Sequence, residues 1–317
     1  MHNHLRHIID SVIAGKEDLS KFIKIMDECN VKAVVDLDGY IGETLDNHLK
    51  VLKGEYADRF LVYAKIDWSR IDKPDFTEIA VKQLEEAVKK GVQGLKISKS
   101  LGLKVKEAHG NYLRVDSPKL DPIWEKCGEL DIPVKIHTSD PAAFFTSFDK
   151  HNEWYTILLD HQDWMFNKPE YYSRDELLEQ RDNVISRHPD TIFIGAHMEN
   201  CPEDLARAGE WLDKYPNFYV DIDARLAELG RQPYSARRFL IKYADRVMFD
   251  TDGYKSTPIN REMYREHFRF LETDDEYMDI KKIHTVVPDW RVYGLYLPDD
   301  VLEKIYHLNA ERLLHWN

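Results

Sequence analysis

Short runs of apolar, β-branched and aromatic residues alternate along this chain with longer stretches of helical character. Buried parallel strands read as near-continuous apolar runs, and helices repeat their apolar positions near every 3.6 residues. On that basis strands are expected at 31–36, 60–66, 94–98, 134–137, 191–197, 217–221 and 246–252. Helices are expected at 19–29, 43–56, 76–90, 120–130, 174–187, 202–214 and 234–243. The opening segment adds an eighth strand. Repeated strand–helix alternation favours a parallel sheet, and eight units favour closure into a (β/α)8 barrel of the α/β class. With no Pro/Gly/Ser-rich linker or internal repeat, residues 1–317 are expected to form a single domain.

Two features depart from an ideal barrel. The first strand runs into His2 with only Met1 ahead of it, whereas a strand usually has about five residues. A truncated first strand is therefore expected, with an upstream start or an upstream signal peptide as open readings. The second feature is a pair of insertions, after strands five and eight. Segment 138–172 carries Phe144, Phe145, Phe148, Trp154, Tyr155, Trp164, Phe166, Tyr171 and Tyr172. Loops of that length tend to be lids or binding loops; these rings suit a planar substrate, packing onto the barrel, or a homodimer contact. Segment 271–298, with Trp290, Tyr293 and Tyr296, carries the same ambiguity.

Composition narrows the function. A net charge of −13 argues against nucleic-acid partners, because phosphate binding needs a basic surface. Cys29, Cys127 and Cys201 have neither metal-motif spacing nor a disulfide framework. No apolar stretch is long enough to span a bilayer and no signal-peptide core precedes the fold, so a cytoplasmic protein with a small-molecule substrate is expected.

The candidate chemistry lies where the apolar runs end. His2 and His4, at i and i+2 on an extended segment, face the same side. Further runs end in His137, in His197, and in Asp250-Thr251-Asp252. Polar ligands at the C-terminal tips of barrel strands are where this architecture places its chemistry. A cation bound there would lower the pKa of water toward about 7, and a neighbouring imidazole or carboxylate would move the proton.

These residues, His2-Asn3-His4, Val134-Lys135-Ile136-His137, Ile194-Gly195-Ala196-His197 and Phe249-Asp250-Thr251-Asp252, resemble the amidohydrolase superfamily of metal-dependent TIM barrels. The resemblance is to the amidohydrolase-related branch that includes aminocarboxymuconate-semialdehyde and resorcylate decarboxylases. The Asn309-Ala310-Glu311-Arg312-Leu313 run is similar to the branch's closing helix, and Asp250 departs from its usual glycine. The resemblance implies His2, His4, His137 and Asp252 as ligands of one divalent ion, zinc first, with manganese or iron as alternatives. It implies His197, with Asp252, as the proton-handling group. Lys96 is expected to be structural or to face a substrate carboxylate, a carboxylated bridge between two metals being the less favoured role. Arg225 is a substrate-anion ligand or a partner of Asp221 or Asp223. Glu199 and Asn200 line the site or cap a loop, and His109 and His284 are solvated.

Three functional classes remain. The first is a hydrolase acting on a small amide, ester or lactone. The second is a non-oxidative decarboxylase of a small, aromatic-type carboxylic acid. The third is a non-catalytic barrel whose site is disabled by the short first strand.

Overall fold

The computed structural model describes residues 2–253, 259–280 and 288–315, with the side chain of His2 outside that set. His284 lies outside the described residues. Eight parallel strands run in chain order around the sheet: β1 His2–Asn3, β2 Val34–Asp36, β3 Phe60–Lys65, β4 Gly94–Ile97, β5 Val134–Ile136, β6 Phe193–Gly195, β7 Phe218–Asp221 and β8 Val247–Met248. Lys65 stands opposite Lys96, Lys96 opposite Lys135, and Ile136 opposite Gly195. A parallel bridge between Asn3 and Gly253 joins the segment after β8 to β1, and the His4 N–H donates to the Gly253 carbonyl at 2.7 Å. The chain thus forms the expected (β/α)8 barrel, with a two-residue first strand among the described residues.

Strand alternation sorts the side chains into two populations. On β2 and β3, Val34, Phe60, Val62 and Ala64 pack outward in the main core beneath the helices. Val35, Leu37, Leu61 and Tyr63 form a separate cluster, and Ile194, Met248 and Leu313 another. Leu314 packs against both, so the closing helix Asn309–Leu313 plugs the N-terminal end of the barrel. That helix and the turn before it also satisfy backbone groups around β8. The Asn309 amide donates to the carbonyls of Ala244 (2.6 Å) and Val247 (2.7 Å), while the Ile305 carbonyl accepts from the Phe249 N–H at 2.8 Å. Beside it a cavity of about 680 Å³ opens between β2 and the closing helix, lined by Val31, Ala33, Val35, Leu61 and Phe249. It lies at the opposite end of the barrel from the clustered histidines.

The expected helix at 174–187 is found as Arg174–Arg187, opened by a capping box in which Ser173 and Glu176 satisfy each other's backbone N–H groups. Among the helices that the apolar pattern did not suggest are Arg6–Ile13, directly after His4, and Arg261–Glu272, after β8. Segment 138–172 folds onto the barrel. Phe144, Trp154, Leu158 and Phe166 bury against Leu103 and Leu177, and Trp154 meets Trp290 of the second insertion edge-on at 5.8 Å. Phe145, Phe148, Tyr155, Trp164, Tyr171 and Tyr172 of the same segment are half-buried. No helix among the described residues is long and apolar enough to cross a membrane.

Candidate metal centre and active site

At the C-terminal end of the strands a cavity of about 850 Å³ is lined by His4, His137, His197, Lys96, Arg225 and Asp252, with Asp38, Asp140, Lys65 and Lys99 around them. Its outer wall includes Phe144, Trp154, Trp164 and His161 from the long loop. The structure therefore brings together every site residue expected from sequence whose side chain it describes. His2 contributes its backbone to β1, and its side chain lies outside the described residues.

The three described histidines share one construction: each ring has a carboxylate at one nitrogen and turns the other toward a common centre. His4 Nδ1 lies 2.8 Å from Asp38 Oδ1, and its Nε2 is 3.5 Å from Asp252 Oδ1. His137 Nε2 lies 3.6 Å from Asp140 Oδ1. His197 Nδ1 lies 2.6 Å from Asp223 Oδ1. A lysine backs each aspartate in turn: Lys65 on Asp38 at 2.7 Å, Lys99 on Asp140 at 2.6 Å, and Lys135 near Asp223 at 4.0 Å. Metal-bound histidines characteristically give their remaining N–H to a carboxylate, which fixes the tautomer and the ring.

Electrostatics follow from this layout. Burial, reinforced by their mutual proximity, pushes His137 well below the usual imidazole range. Burial does the same to His197, against the pull of Asp252. Burial works against protonation of His4 too, but Asp252 and Asp38 overcome it and lift that ring to about 9. Asp140, opposed only by its burial, is held well below the usual carboxylate range by Lys99 and His137. Burial, then the neighbouring Lys135, brings Lys96 down to about 8.

The donor set fits a divalent cation. Both interior histidines are neutral; His137 Nε2 stands 3.6 Å from Asp140 and His197 Nδ1 2.6 Å from Asp223, and their other ring nitrogens, His137 Nδ1 and His197 Nε2, point inward. Those atoms face each other at 3.2 Å, an arrangement that repels unless a cation or a shared proton lies between them. His4 Nε2 and the Asp252 carboxylate supply further donors of the nitrogen/oxygen type that zinc and manganese accept. The tightest group of potential ligands among the described residues is a different one, Asp221, Asp223 and Asp250. There the Lys135 ammonium already occupies the cation's place, paired with Asp221 and with Asp250 at 2.6 Å.

His197 sits on an unusual backbone. It and Met198, Glu199 and Asn200 all have positive φ, from 52° to 65°, a left-handed turn that costs roughly 1–2 kcal/mol per non-glycine residue. Its anchors are side chains that the sequence left undecided. Glu199 turns away from the cavity to meet Arg181 at 2.6 Å, both fully buried, and burial pushes its carboxyl upward against the pull of that guanidinium. Gly195 leaves the room for it, since a Cβ there would lie 2.0 Å from Glu199 Oε2. Asn200 donates to the Thr138 carbonyl at 2.9 Å and accepts from Arg225 at 2.8 Å. Arg225 therefore reaches the pocket from Asn200, while Asp221 and Asp223, the partners also considered for it, bind Lys135 and the His197 N–H. His109 is exposed, as expected.

Sequence reasoning missed Asp38, Asp140 and the lysines behind them. Asp140 stands three residues after His137, a spacing that could have been read. Asp38 is 34 residues from His4 and becomes its neighbour only through the β1–β2 pairing.

A barrel with histidines at the tips of β1, β5 and β6 and an aspartate after β8 defines the class of metal-dependent barrel enzymes. The amidohydrolase family model matches residues 43–316, and the chain belongs to that family. Among solved structures it is similar to a dihydroxybenzoic acid decarboxylase from Polaromonas sp. JS666 with bound manganese and the inhibitor 2-nitroresorcinol. That match has 17% identity over 99% of this chain and 95% of that one, with a TM-score of 0.58. It is also similar to 4-oxalomesaconate hydratase from Rhodopseudomonas palustris (16% identity, 94% and 81% covered, TM-score 0.54). An amidohydrolase from Burkholderia multivorans with bound zinc gives 13% identity, 99% and 97% coverage and a TM-score of 0.54. At these identities the likeness shows the fold. The chain is thus an enzyme of a metal-dependent family whose barrels serve more than one reaction.

Proposed function

We propose that this chain is a metal-dependent hydrolase acting on a small, planar, anionic amide, ester or lactone. The observation that carries the reading is His197: a buried neutral imidazole with Nδ1 on Asp223 and Nε2 turned toward His137. That is the disposition of a general base at neutral pH.

His4, His137 and Asp252, with His2 as the sequence places it, would hold one divalent ion, zinc or manganese. Bound there, the ion supplies Lewis acidity that polarises a carbonyl and acidifies water. The chain's own residues do the rest. His197 accepts a proton at Nε2 while Asp223 stabilises the resulting imidazolium through Nδ1–H. Asp252, which acts on both His4 and His197, provides the negative charge that keeps that proton nearby. Arg225 and Lys96 bind the substrate anion, and Phe144, Trp154 and Trp164 form a flat wall that excludes water from one side of it.

Decarboxylation of an aromatic-type acid is a second reading, favoured by the combination of cations and aromatic wall in one cavity. Purified protein carrying metal, screened with planar lactones, esters and carboxylic acids in oxygen-18 water, separates the two. Label in the product acid supports hydrolysis, and carbon dioxide with no label uptake overturns it in favour of decarboxylation. Turnover of none of these by metal-loaded protein would sink both readings.

A further inference from the structure

Beneath the site, at the level of Lys96, the barrel interior carries a layer of buried charge where such barrels ordinarily stack apolar side chains. Lys135 on β5 projects into it, with Asp221 and Asp223 from β7 and its following turn and Asp250 after β8. Lys135 is 3% exposed, Asp221 and Asp223 0%, and Asp250 6%. The ammonium contacts Asp221, lies 2.6 Å from Asp250 Oδ2 and 4.0 Å from Asp223 Oδ2.

Two of these carboxylates have a second task. The His197 backbone N–H donates to both Asp221 Oδ1 and Asp223 Oδ1 at 2.8 Å, and Asp223 Oδ1 also faces His197 Nδ1 at 2.6 Å. To serve that way both aspartates must be acceptors at once. Adjacent carboxylates in a dry interior do not both stay ionised unless a cation compensates them. Lys135 supplies that cation. Asp250 holds its far side and keeps the ammonium centred on the cage.

We propose that Lys135 is a positioning residue: a built-in cation that keeps Asp221 and Asp223 as acceptors and thereby fixes His197 in the tautomer with its proton on Nδ1 and its Nε2 lone pair facing the site. Asp250, where the resemblance would place a glycine, is its counter-ion and belongs to the same device. The proposal rests on the reading of His197 as the proton acceptor, but its structural content can be tested without substrate or metal.

Long-range proton–nitrogen NMR correlation on nitrogen-15 histidine-labelled, metal-free protein reports the tautomer of His197, assigned by loss of its signals in His197→Asn. Wild type is expected to show one neutral tautomer, Nδ1–H. Lys135→Met is expected to lose it, giving an averaged or Nε2–H pattern, while His4 and His137 keep their signals. Should Lys135→Met fail to fold, Lys135→Met/Asp250→Asn removes the cage's inner and outer charges together and is read in the same way. Asp250→Asn alone, which leaves the cation in place, is expected to stay close to wild type. A wild-type spectrum dominated by Nε2–H, or a folded variant lacking Lys135 with an unchanged His197 tautomer, overturns the proposal. Neither outcome depends on turnover. A wild type that takes up no metal in elemental analysis would instead strike the functional reading and leave the result on Lys135 standing.

Discussion

Replacing Gly195 by alanine should be far more damaging than its place in a strand suggests. Glycine inside a strand normally weakens it, and alanine there gains roughly 0.5–1 kcal/mol in backbone entropy. Here the added methyl would stand 2.0 Å from Glu199 Oε2, 2.5 Å from its Cδ and 2.8 Å from Oε1. Glu199 is 2% exposed and Arg181, its partner at 2.6 Å, 0%, so the carboxylate cannot swing into solvent. It must leave its seat, and removing one partner of a buried pair costs about 3–5 kcal/mol. After the backbone gain a net loss of about 3 kcal/mol is expected. Urea unfolding of wild type and Gly195→Ala measures it directly. The same substitution in a Glu199→Ala background isolates the cause, because with the carboxylate gone the alanine should cost less than about 0.5 kcal/mol. A Gly195→Ala protein within about 1 kcal/mol of wild type, or an equal cost in both backgrounds, would refute this account of the turn that carries His197.

Three further outcomes are expected. Protein purified without chelator or histidine tag should carry about one equivalent of zinc or manganese by elemental analysis, most of it lost in His137→Ala, because a ligand set short of one imidazole binds far more weakly; about two equivalents would instead make Lys96 a bridging residue. Glu228 is buried with no hydrogen-bond partner for either oxygen, and burial lifts its carboxyl to about 7. A raised carboxyl stabilises the fold fully below its ordinary value and loses that contribution as pH rises to the folded value, so wild type should lose about 2.5 kcal/mol relative to Glu228→Gln between about pH 5 and about pH 8. Urea midpoints of the two proteins across that range check it, and parallel curves would show an ordinary carboxyl. Trp154→Ala removes ring contacts to both Phe144 and Trp290 and should cost about 3–5 kcal/mol locally, read as new limited-proteolysis cuts within 138–172.

The barrel was legible because each parallel strand is buried on both faces and so appears as an uninterrupted apolar run. Phe60-Leu61-Val62-Tyr63-Ala64 and Phe193-Ile194-Gly195 stand out for that reason, each flanked by helices whose apolar positions repeat. Helix Arg6–Ile13 was hidden because it begins two residues after His4, with no turn signal to separate it from the strand. Helix Arg261–Glu272 was hidden by its charge: only Met263, Tyr264, His267, Phe270 and Leu271 are buried, a narrow stripe in a run otherwise polar. The closing helix was recognised by its Asn-Ala-x-Arg-Leu run, and the fold supplies the reason for that pattern. Asn309 caps the buried carbonyls of Ala244 and Val247 around β8, Arg312 donates to the Asp245 carbonyl at 2.8 Å, and Leu313 enters the barrel.

The site was legible only in its inner layer. A histidine ending an apolar run announces itself, but the carboxylate behind it generally comes from another strand. Asp38 reaches His4 across the β1–β2 pairing, and Asp223 reaches His197 across β6–β7. Neither neighbour can be inferred from spacing along the chain. Lys135 shows the limit most clearly: in sequence it interrupts an apolar run, and a charge there looks like an error in the strand assignment. Its meaning appears only when β5, β7 and β8 are wrapped into one cylinder, which places three aspartates around it. Asp250 was noticed as a departure from the resembled pattern but had no partner in sequence, 115 residues from Lys135. The two anomalies explain each other. A lone buried lysine or a lone extra aspartate would each be costly, and together they offset each other inside a layer on which His197 depends for both its backbone and its ring.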